Sequence, residues 1–236
     1  MKHDFMRTAG RVLVLAGACL LAPLAQAGRP LATDDAATNQ AGVCQIESWV
    51  DRSDPGHSTV FAPACGLTDT VELGLEFVRG SPRQAIALER GVALKWADPD
   101  VKLGDWRFGA KLGLSQSKEP GSSDWTGASR PLLLGLASLP IGESLALHLN
   151  LGHERRGTDR QSATVYGAAL AWTPIAQALL FTEWNGDDRS APLRTVGARW
   201  WLVADTLGLD LTWSRQSATR DSTVVGVGLG WYGINL

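Results

Sequence analysis

Along most of the chain, apolar residues alternate with small, polar or charged ones at a period of two. In Ser144–Glu154, Leu145, Leu147, Leu149 and Leu151 fall on one face of an extended chain. Ala146, His148, Asn150, Gly152 and Glu154 fall on the other. This period belongs to a strand whose two faces meet different surroundings. The same division sets Val71, Leu73, Leu75 and Phe77 against Glu72, Gly74 and Glu76. It also sets Leu207, Leu209, Leu211 and Trp213 against Gly208, Asp210 and Thr212, and Val225, Val227, Leu229 and Trp231 against three glycines. A bulky apolar face opposite a small, charged one suits a barrel with lipid outside and a polar lumen inside. A water-soluble sandwich, the competing fold, would turn the bulky face inward.

Alternation and turn residues predict twelve strands. They run Val43–Arg52, Ser58–Cys65, Thr70–Arg79, Ala85–Trp96, Trp106–Gln116, Arg130–Leu139, Ser144–Glu154, Ala163–Thr173, Ala178–Asn185, Leu193–Val203, Leu207–Ser217 and Thr223–Tyr232. The predicted fold is all-β, a single antiparallel up-and-down transmembrane β-barrel of about 12 strands over residues 43–236. An even count leaves both termini on the periplasmic side. Compact turns at Gly66–Asp69, Pro140–Glu143 and Val203–Thr206 alternate with longer polar connections such as Ser117–Ser129, Arg155–Gln161 and Gly186–Pro192. Ala97–Asp105 is long where a short turn is expected. Arg90 shares the apolar face with Ile86, Leu88, Val92, Leu94 and Trp96. A cation at mid-bilayer costs about 2–4 kcal/mol, so either the strand starts later or, as preferred here, Arg90 snorkels to the headgroups. Trp172, Trp184, Trp200 and Trp231 stand near strand ends, where an interfacial aromatic belt would place them.

The N-terminus supplies an address. Lys2, Arg7 and Arg11 precede the apolar run Val12–Leu24 and the small-x-small site Ala25-Gln26-Ala27. This reads as a signal peptide over residues 1–27, cleaved after Ala27, which exports the chain; with the barrel pattern, the expected location is the bacterial outer membrane. The run is short for a spanning helix, which needs about 20 residues. Cys19 lacks the preceding Leu of a lipoprotein site, since Ala16 stands there. Residues 28–42 are polar and aperiodic, and are expected as an N-terminal segment on the periplasmic side, tucked into a barrel mouth. The net charge is −2, so nothing attracts nucleic acid. Around a turn at Asp54-Pro55-Gly56, Cys44 falls opposite Cys65, which predicts a disulfide in an oxidising compartment.

The inward positions carry the candidate chemistry. Glu72, Glu76, Glu89, Lys95, Arg107, Lys111, His148, Asn150, Glu183, Arg199 and Asp210 are expected to line the lumen, with Glu47 and Glu154 beside them. Mixed charges in a confined interior pair with one another, stiffening the wall, and the same network can screen solutes by size and charge. No catalytic residue is assigned: His148 and Asn150 share a face, but no Ser follows at the spacing of phospholipase-type barrels. A hydrolase would need a hydroxyl within about 3 Å of a histidine nitrogen. No metal site or cofactor is expected. His148 and His153 face opposite sides of one strand, and Asp34-Asp35 read as two solvated loop acids.

Three sequence pieces carry a family resemblance. They are Arg29-Pro30-Leu31-Ala32-Thr33-Asp34-Asp35 followed by Gln45-Ile46-Glu47; Gly66-Leu67-Thr68-Asp69-Thr70-Val71-Glu72-Leu73-Gly74; and Arg199-Trp200-Trp201-Leu202 leading to Asp210-Leu211-Thr212. Together they resemble outer-membrane β-barrel transporters of the MetA-pathway of phenol degradation group. That pattern usually lacks Cys44 and Cys65. The resemblance implies passage of small, aromatic or hydrophobic solutes through a passive channel; the alternative is a non-conducting structural or adhesion barrel that presents its outer loops. The partners expected are outer-membrane lipids and lipopolysaccharide, small solutes, and the barrel-assembly machinery. The last would read Val224–Trp231, which resembles its C-terminal signal although five residues follow. A monomer is expected.

Overall fold

A computed structural model describes residues 30–54, 56–81, 87–125, 130–156, 161–216 and 222–236. The predicted signal peptide, Ile86 and parts of the predicted long connections lie outside the described residues. Twelve strands form, as the alternation predicts: β1 Val43–Ser53, β2 Gly56–Thr68, β3 Val71–Gly80, β4 Leu88–Leu103, β5 Trp106–Lys118 and β6 Arg130–Ile141. They continue as β7 Leu145–Arg156, β8 Gln161–Ile175, β9 Ala178–Asp187, β10 Leu193–Val203, β11 Leu207–Gln216 and β12 Ser222–Asn235.

Each strand pairs antiparallel with its neighbours in sequence, and β12 returns to β1 to close the barrel. Closure leaves no free edge, so the backbone polar groups of the wall are satisfied within the wall. The closing ladder runs from Val43 opposite Asn235 to Ser53 opposite Val224, with a bulge between Cys44 and Ile46. Cys44 and Cys65 lie directly opposite on β1 and β2 and are joined by a disulfide. The last strand therefore runs on past Trp231, and its extra residues hold the first turn of β1.

Short turns gather at the end where β1 begins and β12 finishes, here called the terminal end, including Asp69-Thr70, Gly104-Asp105 and Ala204–Thr206. The long Ala97–Asp105 connection resolves into structure. β4 runs on to Leu103 and forms a projecting hairpin with β5, with Lys102 opposite Arg107 and the ladder shifted between Ala97 and Lys102. Gly104 turns it at φ 62°, a left-handed conformation that glycine takes without strain. At the other end β4 begins at Leu88, so Arg90 lies near the rim. Its guanidinium donates to Gln116 Oε1 at 2.9 Å and stacks over Trp125.

The outer surface is apolar around the circumference. Leu151 is 65% exposed, Leu211 57%, Trp231 53% and Trp200 51%, with Trp172 and Trp184 also exposed. The inner surface is polar on most strands, and Glu47, Lys95, Lys111, Asn150, Glu183, Arg199 and Asp210 are buried. β6 departs from this. Leu134 and Leu136 face inward and, with Val165 of β8, make a dry patch on one side of the lumen.

Candidate functional site: a lumen crossed by the N-terminal segment

Residues 30–42 enter the barrel and reach further than its mouth. They cross the lumen from β9 to the β2–β3 turn. A chain segment without regular structure cannot be buried unless its N–H groups find acceptors. Here the wall supplies side chains. The Ala32 and Thr33 N–H groups donate to the Glu183 carboxylate. Asp34 N–H donates to Asn150 Oδ1 at 2.7 Å, and Asn150 Nδ2 returns a bond to the Asp34 carbonyl at 2.8 Å. Ala36 N–H donates to Ser138 Oγ at 2.8 Å and Asn39 N–H to Glu72 Oε2 at 2.9 Å. Ala41 then makes a parallel bridge to Gly66, which leads the chain into β1. Two small residues make room. A Cβ on Gly167 would stand 2.6 Å from Thr33 Oγ1, and Ala36 rests on the dry patch.

Asp34 is the centre of the crossing and is 3% exposed, not solvated as the sequence suggests. Lys111 Nζ contacts its Oδ2 at 2.6 Å and Lys95 Nζ its Oδ1 at 3.2 Å. Lys95 also contacts Asp35 Oδ1 at 2.7 Å. Desolvation pushes the Asp35 carboxyl up, but the Lys95 ammonium, with His148 and the Ala37 backbone, more than offsets this, and Asp35 titrates below the ordinary carboxylate value. The wall lysines therefore pair with the crossing segment, where pairing between wall residues was expected.

A second cluster lies towards the end where β1 begins and β12 finishes. Arg199 holds Asp210 with two parallel bonds, Nε to Oδ1 at 2.7 Å and Nη2 to Oδ2 at 2.8 Å. Its guanidinium packs against both the Trp201 and Tyr232 rings, which themselves meet edge to face, and Tyr232 Oη donates to Glu47 Oε1. A Cβ on Gly208 would fall 2.9 Å from Arg199 Cδ, so the glycine leaves space for this side chain. Between the two clusters lies a cavity of about 600 Å³, lined by Asp35, Glu76, Lys95, His148 and Arg199 among others. The turn residues Gly142, Glu143 and Ser144 border it, so it opens at the terminal end of the barrel.

The other predicted lumen residues are spread along the wall. Glu89 pairs with Arg130 at 2.6 Å near the far rim. Arg107 is exposed at the terminal rim, beside the projecting hairpin and away from the buried clusters. Sequence reasoning missed Ser138, whose Oγ lies 2.9 Å from His148 Nδ1 and which the β6–β7 register sets opposite that histidine. Hairpin register around the Pro140–Glu143 turn was the signal available. Among the described residues no group of three or more His, Cys, Asp or Glu is arranged to hold a metal.

Comparison with solved structures places this architecture among outer-membrane barrels. The KdgM porin in complex with disordered oligogalacturonate aligns with a TM-score of 0.61 at 11% identity, covering 79% of this chain and 98% of that one. The NanC porin aligns at 0.62 and 9% identity, over 80% of this chain and 98% of its own. Outer membrane phospholipase A from Escherichia coli aligns at 0.52 and 13% identity, over 84% and 93%. At such identities the likeness establishes the fold alone. No curated protein matches the chain by sequence. The family match goes to a group described differently from the phenol-degradation proteins that the short motifs resemble. The chain belongs to the family described as Uncharacterised conserved protein UCP029691, whose model matches residues 16–231.

Proposed function

We propose that this protein is a monomeric outer-membrane channel for small solutes whose lumen is closed by its own residues 30–42. The carrying observation is the crossing segment: side chains of six strands, Glu72, Lys95, Lys111, Ser138, Asn150 and Glu183, hold its backbone and acids across the bore. A purely structural barrel has no need of a lumen kept polar and filled by a separable segment. The apolar outer face meets lipid and lipopolysaccharide, the terminal end faces the periplasm, and the assembly machinery reads β12. Passage is diffusive and requires the segment to withdraw. The exposed path then has charged residues on most sides and the Leu134, Leu136 and Val165 patch on one, which suits solutes with an apolar or aromatic body.

The test is conductance in planar bilayers. Full-length protein gives rare openings, and a variant lacking residues 30–41 gives long-lived ones. A deletion variant that folds, shown by heat-modifiable migration on a denaturing gel, and yet stays silent would return the molecule to the non-conducting alternative.

The Ser138–His148 contact favours a second reading, a hydrolase. It is weaker. The Ser138 hydroxyl oxygen already accepts the Ala36 N–H, and no carboxylate among the described residues hydrogen-bonds His148 to orient it. Labelling by a fluorophosphonate that disappears in S138A would revive it.

A further inference from the structure

The wall places two lysines where two lysines should not be. Lys95 on β4 and Lys111 on β5 are directly opposite in the ladder, on the same inner face, and both are buried. Like charges in direct opposition destabilise a sheet, and in a confined lumen they require an anion between them. The carboxylate that bridges them belongs to Asp34 of the crossing segment rather than to the wall. Asn150 meanwhile grips the Asp34 backbone through both its amide nitrogen and its oxygen. Two residues further on, Ala36 lies against Leu134, Leu136 and Val165. The segment thus presents a carboxylate and, about 7 Å away along an extended chain, an apolar contact. It is held in the manner of a bound ligand.

We propose that Lys95, Lys111 and Asn150, with the Leu134–Leu136–Val165 patch, form a binding site for a small organic carboxylate with an apolar body, and that Asp34 occupies this site as a built-in competitor. The inference rests on the channel reading and names its solute class. Withdrawal of the segment removes Asp34 and Asp35 together; Lys95 keeps Glu72 opposite it on β3, and the pair of lysines loses the carboxylate that bridges them. An anionic amphipathic solute supplies it, so that solute binding and opening of the lumen favour one another. Cationic solutes gain nothing from this exchange, and small inorganic anions gain the charge but not the patch.

The probe is 3-phenylpropionate, with 3-phenylpropylammonium and acetate as controls, measured by calorimetry on detergent-solubilised protein. The variant lacking residues 30–41 should bind 3-phenylpropionate at least tenfold more tightly than the full chain does. K95Q and K111Q in that background should each lose at least tenfold, and both controls should bind at least tenfold more weakly. D34N in the full chain, which keeps the segment and removes only the competing charge, should raise affinity several-fold and guards against a deletion that fails to fold. Equal binding with and without Asp34, lysine variants that bind as the parent does, or an ammonium probe that binds as well as the carboxylate would each overturn the proposal. Binding is read without a membrane, so a site that binds in a barrel that does not conduct would sink the channel reading alone. Conductance without carboxylate binding would sink this one alone.

Discussion

Gly167 and Thr33 show how closely the crossing segment is fitted to the wall. An alanine Cβ at Gly167 would lie 2.6 Å from Thr33 Oγ1, closer than such atoms approach, and a tight 3.3 Å from its Cγ2. The Thr33 hydroxyl is itself buried without a hydrogen-bond partner among the described residues. G167A should therefore loosen the segment by about 1–3 kcal/mol, the usual cost of overpacking. Faster hydrogen exchange at the Asp34 and Ala36 amides would report it. T33A removes both crowded atoms and should restore protection in the double variant. Failure of that rescue would mean that the wall, not the segment, gives way. Asp35 sets the pH response. Its carboxyl is depressed in the folded protein, so its contribution to docking is complete at neutral pH and is lost as pH falls through the depressed value. Docking should thus hold from neutral to about pH 4, the ordinary carboxylate value, and weaken only below it. Lys95, Asp34 and His148 face the same carboxyl, with Lys111 and Glu72 beyond them. D35N should dock less firmly at neutral pH, and its difference from the parent should vanish in acid. A constant difference across pH would remove Asp35 from the account.

At the level of the strands, legibility followed the contrast between the two faces. β10 is found at Leu193–Val203 as the alternation predicts, and the other strands differ by a few residues at their ends. The contrast fades where a strand leaves the apolar band: alternation ends β4 at Trp96, although its ladder resumes at Lys102. β6 is apolar on both faces, so its Leu134 and Leu136 were not recognised as lumen residues. Pairs within a hairpin, such as Cys44 with Cys65, were legible because the turn sets the register. Ser138 with His148 follows from the same logic and was overlooked. The pair that locks β10 to β11 is Arg199 with Asp210, which are opposite in the ladder and almost fully buried. D210A leaves the guanidinium with Glu47, whose carboxylate is 3.9 Å away, as its remaining carboxylate contact among the ion pairs described. Removing one partner of a buried pair costs about 3–5 kcal/mol, whereas replacing both by apolar residues costs far less. The urea midpoint in detergent should fall steeply for D210A and much less for R199M/D210L. Equal losses would show that the pair is worth its own attraction rather than a penalty avoided.

For the molecule as a whole, the barrel was legible and the filling of its lumen was not. Strand periodicity reports which solvent each face meets, and twelve segments report it independently. Residues 30–42 have no such period. Their partners, Glu72, Lys95, Lys111, Ser138, Asn150 and Glu183, come from strands up to about 150 positions away, a proximity that only closure of the barrel creates. The two readings of the outer face, lipid-bound or water-soluble, still make opposite predictions about one substitution. Leu211 lies mid-strand in β11, points outward and is 57% exposed. On a protein in water, an arginine there would be neutral or favourable, since it replaces exposed apolar surface with a solvated charge. In a bilayer the same arginine sits in the hydrocarbon and costs about 2–4 kcal/mol. L211R should lower the stability of the barrel in lipid vesicles by that amount, while an arginine at Arg90, near the rim, is already tolerated. Urea titration in vesicles measures the difference directly. An unchanged or raised midpoint for L211R would mean that the leucines of β11 do not face lipid, and the membrane-spanning reading of the whole barrel would fall with it.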